Sequence, residues 1–165
     1  MRILLDTNIY GEMLIDPDIE KIRSDLERTS VIIYGMSIIR KELRATPKGS
    51  TFSDGNLRTH ILNLYDNVIG KHELRADINK IKELADAYYL AYRNFGGSKS
   101  KDKVINDFLI VSNASIKGMD IVVSEDEKTM RSENAEKSYS LVNKIKKNRM
   151  PKFIGYEDFK KIIKK

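Results

Sequence analysis

Four carboxylates in this 165-residue chain stand where ordinary solvated acids do not. Asp6 follows directly on the apolar run Ile3-Leu4-Leu5, and Asp126 ends Ser124-Glu125-Asp126, just after a second such run, Ile121-Val122-Val123. Glu42 lies four residues after Ile38 and three after Ile39, so on a helix it shares their core-facing side while Arg40, Lys41 and Arg44 point elsewhere. Asp107 falls in a stripe with Val104, Val111 and Ala114 at helical spacing, within a face that is otherwise apolar. Taken singly, each has a plain reading: an Asp after a strand often caps a turn, and a helical Glu is often half of an ion pair. Taken jointly, they point to chemistry. Two like charges about 4 Å apart cost roughly 4 kcal/mol at an effective dielectric near 20. A converging set therefore exists partly protonated or around a hard cation. Oxygen ligands without His or Cys suit Mg²⁺ or Mn²⁺. Such ions bind phosphates, activate water and stabilise a leaving oxyanion, so phosphodiester hydrolysis is the expected reaction.

Composition narrows the field. The chain has no Cys, which excludes disulfides, zinc ribbons, Fe–S clusters and thiol catalysis. His60 and His72 lack any Gly-x-Ser-x-Gly or His-Glu-x-x-His context and read as surface or packing residues. Gly96-Gly97-Ser98-Lys99-Ser100 has no Gly-Lys-[Ser/Thr] and follows a helix rather than a strand, so a phosphate loop is not expected. It reads as an interhelix linker, or as a basic loop whose Lys99 and Lys101 touch substrate phosphates. Lys plus Arg is 30 against 24 Asp plus Glu, a net +6 that favours a polyanionic partner. Much of the excess lies after residue 144, where Lys146, Lys147 and Arg149 are candidates for backbone-phosphate contacts. No apolar run approaches the ~20 residues needed to span a bilayer, and Asp6 interrupts what a signal peptide would need, so a cytoplasmic protein is expected.

The elements that must position these residues alternate. Short apolar runs at 3–5, 31–34 and 121–123 read as strands buried on both faces, with Lys152-Phe153-Ile154 a last edge strand. Helices are expected near 8–14 (capped by Thr7 or Asn8), 18–28, after Ser37 as cap (carrying Ile38, Ile39, Glu42 and Leu43), 56–68, 77–95 (capped by Asp77), 103–117 (Asp102 capping, Gly118 terminating), 129–147 and 156–164. Residues 46–56 read as a loop and His72 to Arg75 as a short strand. Strands separated by helices mean an α/β fold with a mainly parallel sheet flanked by helices, in one domain covering 1–165 with a basic helix and tail at about 144–165. In such sheets ligands bind outside the carboxyl ends of the strands, which is where Asp6 and Asp126 fall. Tyr88, Tyr89 and Tyr92 read as core and interface residues of the 77–95 helix, whose apolar content suggests a homodimer.

Ile3-Leu4-Leu5-Asp6-Thr7-Asn8 resembles the opening strand and Asp-Thr-Asn of the PIN-domain ribonucleases, which include the VapC-type toxins. Glu42 matches the place of their second acid, Asn106-Asp107-Phe108-Leu109-Ile110-Val111 their helix with the third, and Val122-Val123-Ser124-Glu125-Asp126 their strand end with the fourth. The resemblance spans nearly the whole chain in the expected order. It implies a three-layer Rossmann-like fold, and metal-dependent RNA cleavage with Asp6, Glu42, Asp107 and Asp126 as the acidic, metal-holding site. Asn8 would position that site, and Ser124 would stand in for the usual Thr hydroxyl. It further implies RNA as substrate and admits an antitoxin partner. Two other readings stand beside it. One is a PIN module without activity that binds RNA or protein, from which loss of the acids would be expected. The other is a receiver-type regulator, which needs an Asp after the strand that here ends in Tyr34-Gly35.

Overall fold

The computed structural model describes residues 1–53 and 55–164; Asp54, in the expected loop, and Lys165, at the end of the expected basic tail, lie outside them. Strand β1 (Arg2–Leu5) leads into helix α1 (Thr7–Ile15), then α2 (Ile19–Arg28), β2 (Ile32–Tyr34) and α3 (Ser37–Arg44). A short hairpin of β3 (Thr51–Phe52) and β4 (Gly55–Asn56) precedes α4 (Leu57–Ile69), α5 (Ile78–Asn94) and α6 (Lys101–Ile116). The chain ends with β5 (Ile121–Val123), α7 (Glu133–Lys146), β6 (Lys152–Ile154) and α8 (Tyr156–Ile163). The main sheet is wholly parallel, in the order β2-β1-β5-β6, with helices packed against it. This is the mixed α/β architecture read from the alternation of apolar runs and helical stripes.

Register places the chemistry. Leu4 pairs with Tyr34, Leu5 with Val123 and Val123 with Ile154, so β1, β5 and β6 end level, β2 stops one residue earlier, and the residues that follow them share one edge. The central strands β1 and β5 are buried on both faces, as their continuous apolar sequence requires. Strand β2 is different. It has a neighbour only on the β1 side, which leaves Ile32 exposed, so the expectation of a strand buried on both faces fails there. Residues 72–75 form no strand. Gly35 makes a single bridge to Glu73, its N–H donating to the His72 carbonyl (2.9 Å) and its carbonyl accepting from Leu74 N–H (2.8 Å). A Cβ at Gly35 would lie 2.4 Å from the Tyr65 hydroxyl, so only glycine lets the chain leave β2 past Tyr65.

Several boundaries differ from the sequence reading, each for a local reason. Asp6, rather than Thr7 or Asn8, caps α1, accepting from the Thr7 N–H. Met36 precedes α3 with no side-chain cap, Ser37 being already helical. Ser100 precedes α6, which puts Asp102 in its first turn, where the helix dipole favours an acid. Helix α7 begins at Glu133 rather than near 129, because Asp126 captures the N–H groups of Lys128 and Thr129 in a turn. Asp77 does cap α5, and Gly118 leaves α6 at φ +63°. Tyr88 and Tyr92 are core residues, the Tyr88 hydroxyl donating to Asn143 Oδ1 at 2.7 Å and lying 3.1 Å from Ser115 Oγ. Among the described residues no helix is long and apolar enough to cross a membrane.

Candidate active site

The level ends of β1 and β5 put Asp6 beside Ser124, 118 positions apart in sequence. The Asp6 N–H continues the ladder to the Val123 carbonyl at 2.9 Å, which turns its carboxylate out at the strand end, 5% exposed. Its Oδ1 accepts from the Thr7 N–H (2.7 Å), and Oδ2 accepts from the Ser124 hydroxyl (2.7 Å) and the Asn8 amide (2.9 Å). Asn8 reaches further: its Oδ1 accepts from the Glu125 N–H at 3.3 Å, tying α1 to the corner after β5. Ser124 Oγ in turn accepts from the Asp126 N–H at 3.0 Å. Asn8 and Ser124 thus orient Asp6 and shape the turn that carries Asp126. Burial pushes the Asp6 carboxyl up to about 6, against the pull of Ser124 and the Thr7 N–H, with the charges of Glu42 and Asp126 adding to the rise.

Glu42 enters from α3, where Ile39 and Leu43 anchor the buried face beside it. Both its oxygens are taken: the Thr7 hydroxyl donates to Oε2, and the Asn106 amide to Oε1 at 2.7 Å. Asp126 accepts from the N–H groups of Lys128 (2.9 Å) and Thr129 (2.8 Å) and from the Thr129 hydroxyl. Asp107 sits on α6 beside the core ring of Phe108. Burial pushes it up to about 7; the Thr129 hydroxyl opposes this, while Asp6, Asp126 and Glu42 raise it further.

The four acids therefore share one electrostatic neighbourhood at the carboxyl edge of the sheet. They do not close into a ligand set: among the described residues no three His, Asp or Glu side chains are grouped tightly enough to hold a metal ion. The expected convergence is loosened because Glu42 and Asp126 each bind protein donors instead of one another. The donor chemistry still fits a hard divalent ion, since every candidate ligand is a carboxylate oxygen and two of them resist carrying charge without a cation.

The candidate phosphate-binding residues divide into two groups. Lys101 opens α6, about 9 Å of helix rise before Asp107, and pairs with Asp86 at 2.7 Å. Lys99 lies in the preceding loop, its N–H donating to the Tyr92 hydroxyl at 3.3 Å. Lys146, Lys147 and Arg149 lie elsewhere. Arg149 pairs at 2.6 Å with Asp120, the residue before β5, and so belongs to the amino edge of the sheet, opposite the acids. Lys146 pairs with Glu83 of α5 at 2.7 Å. His60 packs edge-on against Phe52, and the exposed His72 ring lies against Tyr34. Sequence reasoning missed Thr7, Asn106 and Thr129 as holders of the acids. The signal was present for Thr129, three residues after an Asp in the spacing of a side-chain-capped turn, whereas Asn106 contacts Glu42 across 64 positions.

Neither a protein-family model nor a curated protein matches this chain. One solved structure similar to it is a chain of VapBC2 from Rickettsia felis, crystallised bound to a DNA fragment from their promoter. The TM-score is 0.59 at 16% sequence identity, covering 94% of this chain and 98% of that one. At that identity the likeness speaks to the fold alone: a central parallel sheet flanked by helices.

Proposed function

We propose that this chain is a divalent-metal-dependent endoribonuclease, hydrolysing RNA phosphodiester bonds at the carboxyl edge of its sheet. The observation that carries the proposal is the shared neighbourhood of Asp6, Glu42, Asp107 and Asp126, in which Asp6 is raised to about 6 and Asp107 to about 7. Strongly shifted carboxyls with named charge partners mark functional sites more often than structural ones. These four residues would hold Mg²⁺ or Mn²⁺, which when bound supplies charge for the scissile phosphate and acidity for the attacking water. The protein does the rest. Ser124 and Asn8 fix the orientation of Asp6, and Thr7 and Asn106 fix that of Glu42. Lys99 and Lys101 stand on the α6 side of the acids, where they would steer the RNA backbone.

The reading fits the toxin of a toxin–antitoxin pair or an RNA-processing nuclease, acting as one domain in the cytoplasm; the likeness to VapBC2 favours an antitoxin partner. Its test is cleavage of a labelled single-stranded RNA with Mn²⁺ and with EDTA. Wild type cleaves only with the metal, and Glu42→Gln loses at least ~10²-fold in rate, by analogy with loss of one electrostatic stabiliser. Wild-type protein that binds RNA but never cleaves it would instead make the chain a module without activity. Assembly as a homodimer is part of the proposal. Tyr88 and Tyr92 are used up in the core, but Ile78 and Leu90 of α5, Phe95 just after it, and Leu141 and Ile145 of α7 remain exposed. Light scattering at tens of micromolar is expected to give twice the chain mass; a single-chain mass would remove this part alone.

A further inference from the structure

The amino edge of the sheet, opposite the acids, gathers cations from four parts of the chain. Arg2 opens β1, Lys117 ends α6, Lys146 and Lys147 end α7, and Arg149 and Lys152 lead into β6. Backbone bonds hold the segments together: the Asp120 N–H donates to the Arg2 carbonyl and the Lys152 N–H to the Asp120 carbonyl, both at 2.9 Å. The acids here are already engaged. Asp120 accepts from the Arg2 N–H at 2.7 Å and from Arg149 at 2.6 Å, and Glu83 is taken by Lys146. Lys117, Lys147 and Lys152 form no ion pair among the described residues; Lys152 feels the Asp158 carboxylate, and the other two charges are left for a partner. Lys147 also sits at φ +57°, in the left-handed region that favours glycine, yet it presents an exposed cation.

We infer that this edge is a second RNA-backbone site, an anchor separate from the catalytic edge. Charge fits a polyphosphate chain, and the Tyr34 ring beside these cations is already covered by the Arg2 guanidinium at 5.1 Å, so the contact is to phosphates and blind to sequence. Helix α7 runs back from the acid edge to the cation edge, its 14 residues rising about 20 Å. A five-nucleotide RNA spans only about 17 Å when stacked and holds both edges far less readily than a 20-nucleotide RNA, which spans about 68 Å. Length-dependent affinity follows. The ribonuclease reading enters only in the choice of RNA as the polyanion.

The test uses the triple variant Lys117→Gln/Lys147→Gln/Lys152→Gln, which breaks no ion pair and should melt as wild type does. In EDTA, with fluorescent 20-nucleotide RNA and anisotropy detection, its binding is expected to weaken by up to roughly 100-fold at 0.1 M salt. The salt slope should fall by about 2, at ~0.7 per lost single-strand contact. With Mn²⁺, cleavage of the five-nucleotide RNA should be unchanged, while KM for the 20-nucleotide RNA rises and kcat holds. A matched control, Lys21→Gln/Lys48→Gln/Lys71→Gln, removes equal charge elsewhere and should leave the EDTA binding within a few-fold of wild type. Unchanged binding by the first variant, or an equal loss in the control, overturns the anchor. Wild type that never cleaves RNA while the anchor variant alone loses EDTA binding overturns the ribonuclease reading and leaves the anchor standing.

Discussion

Asp107→Asn should make the metal-free protein as stable as wild type or more so, and abolish its response to metal. The substitution keeps the shape of a side chain that burial and three neighbouring acids hold at about 7. It removes a charge the site disfavours, which after discounting for screening and partial protonation relieves about 1–3 kcal/mol above pH 7. For a chain of this size each kcal/mol moves the midpoint by about 2–4 °C, so a rise of a few degrees in EDTA is expected. Mn²⁺ at ~100 times its dissociation constant should stabilise wild type by about 2.7 kcal/mol, and the variant should lose most of that gain together with RNA cleavage. A structural Asp107 predicts the opposite: lower stability in EDTA and an unaltered metal response. Paired melting curves and one cleavage assay separate the two.

The second large effect is on pH. Asp6 and Asp107 have folded values of about 6 and about 7, above the ordinary carboxylate range that governs the unfolded chain. Between roughly pH 4 and pH 7 the folded state therefore holds protons that the unfolded state has lost, so stability falls as pH rises through that window. The two carboxyls are neighbours and titrate as a coupled pair, so the fall belongs to the pair rather than to either residue. Asp16, Asp120 and Glu83 are held below their usual range by hydrogen bonds and cations, so their contributions are lost only on further acidification. In EDTA, the melting temperature should peak near pH 5 and decline to pH 8. Saturating Mn²⁺ should flatten or reverse that decline, because the metal competes with the protons. A metal-free profile that rises from pH 5 to pH 8 would contradict the paired burial of these acids.

How much of this was legible in the sequence depends on how local each feature is. The continuous apolar runs ending in Asp6 and Ser124 announced both the parallel sheet and its working edge, because strands buried on both faces leave no other reading. The apolar stripe around Asp107 was equally plain, as an acid stands out against Val104 and Val111 at helical spacing. What stayed hidden was tertiary. Glu42 is clamped by Thr7 and Asn106, partners 35 and 64 positions away that no periodicity connects. The start of α7 was hidden by a single side chain, since helical composition runs back to 129 but Asp126 takes the N–H groups that would have entered the helix. The basic tail showed the opposite failure. Its charge was conspicuous, yet only the return path of α7 reveals that Lys146, Lys147 and Arg149 face away from the acids, while Lys160 of α8 pairs with Asp16.

The strand order carries a consequence in time. Strand β1, first in the chain, lies between β2 and β5, and Asp6 receives its Ser124 hydroxyl only after 118 further residues exist. At about 5–20 residues per second, synthesis from one to the other takes roughly 6–24 s. Through that interval the nascent chain carries Asp6 and Glu42, and then Asp107, without the β5 strand end that bears Ser124 and Asp126. The acid edge is completed late, when β5 slots in beside β1. An unfinished polypeptide, held beside the RNA of the machine that makes it, is thus without an assembled site.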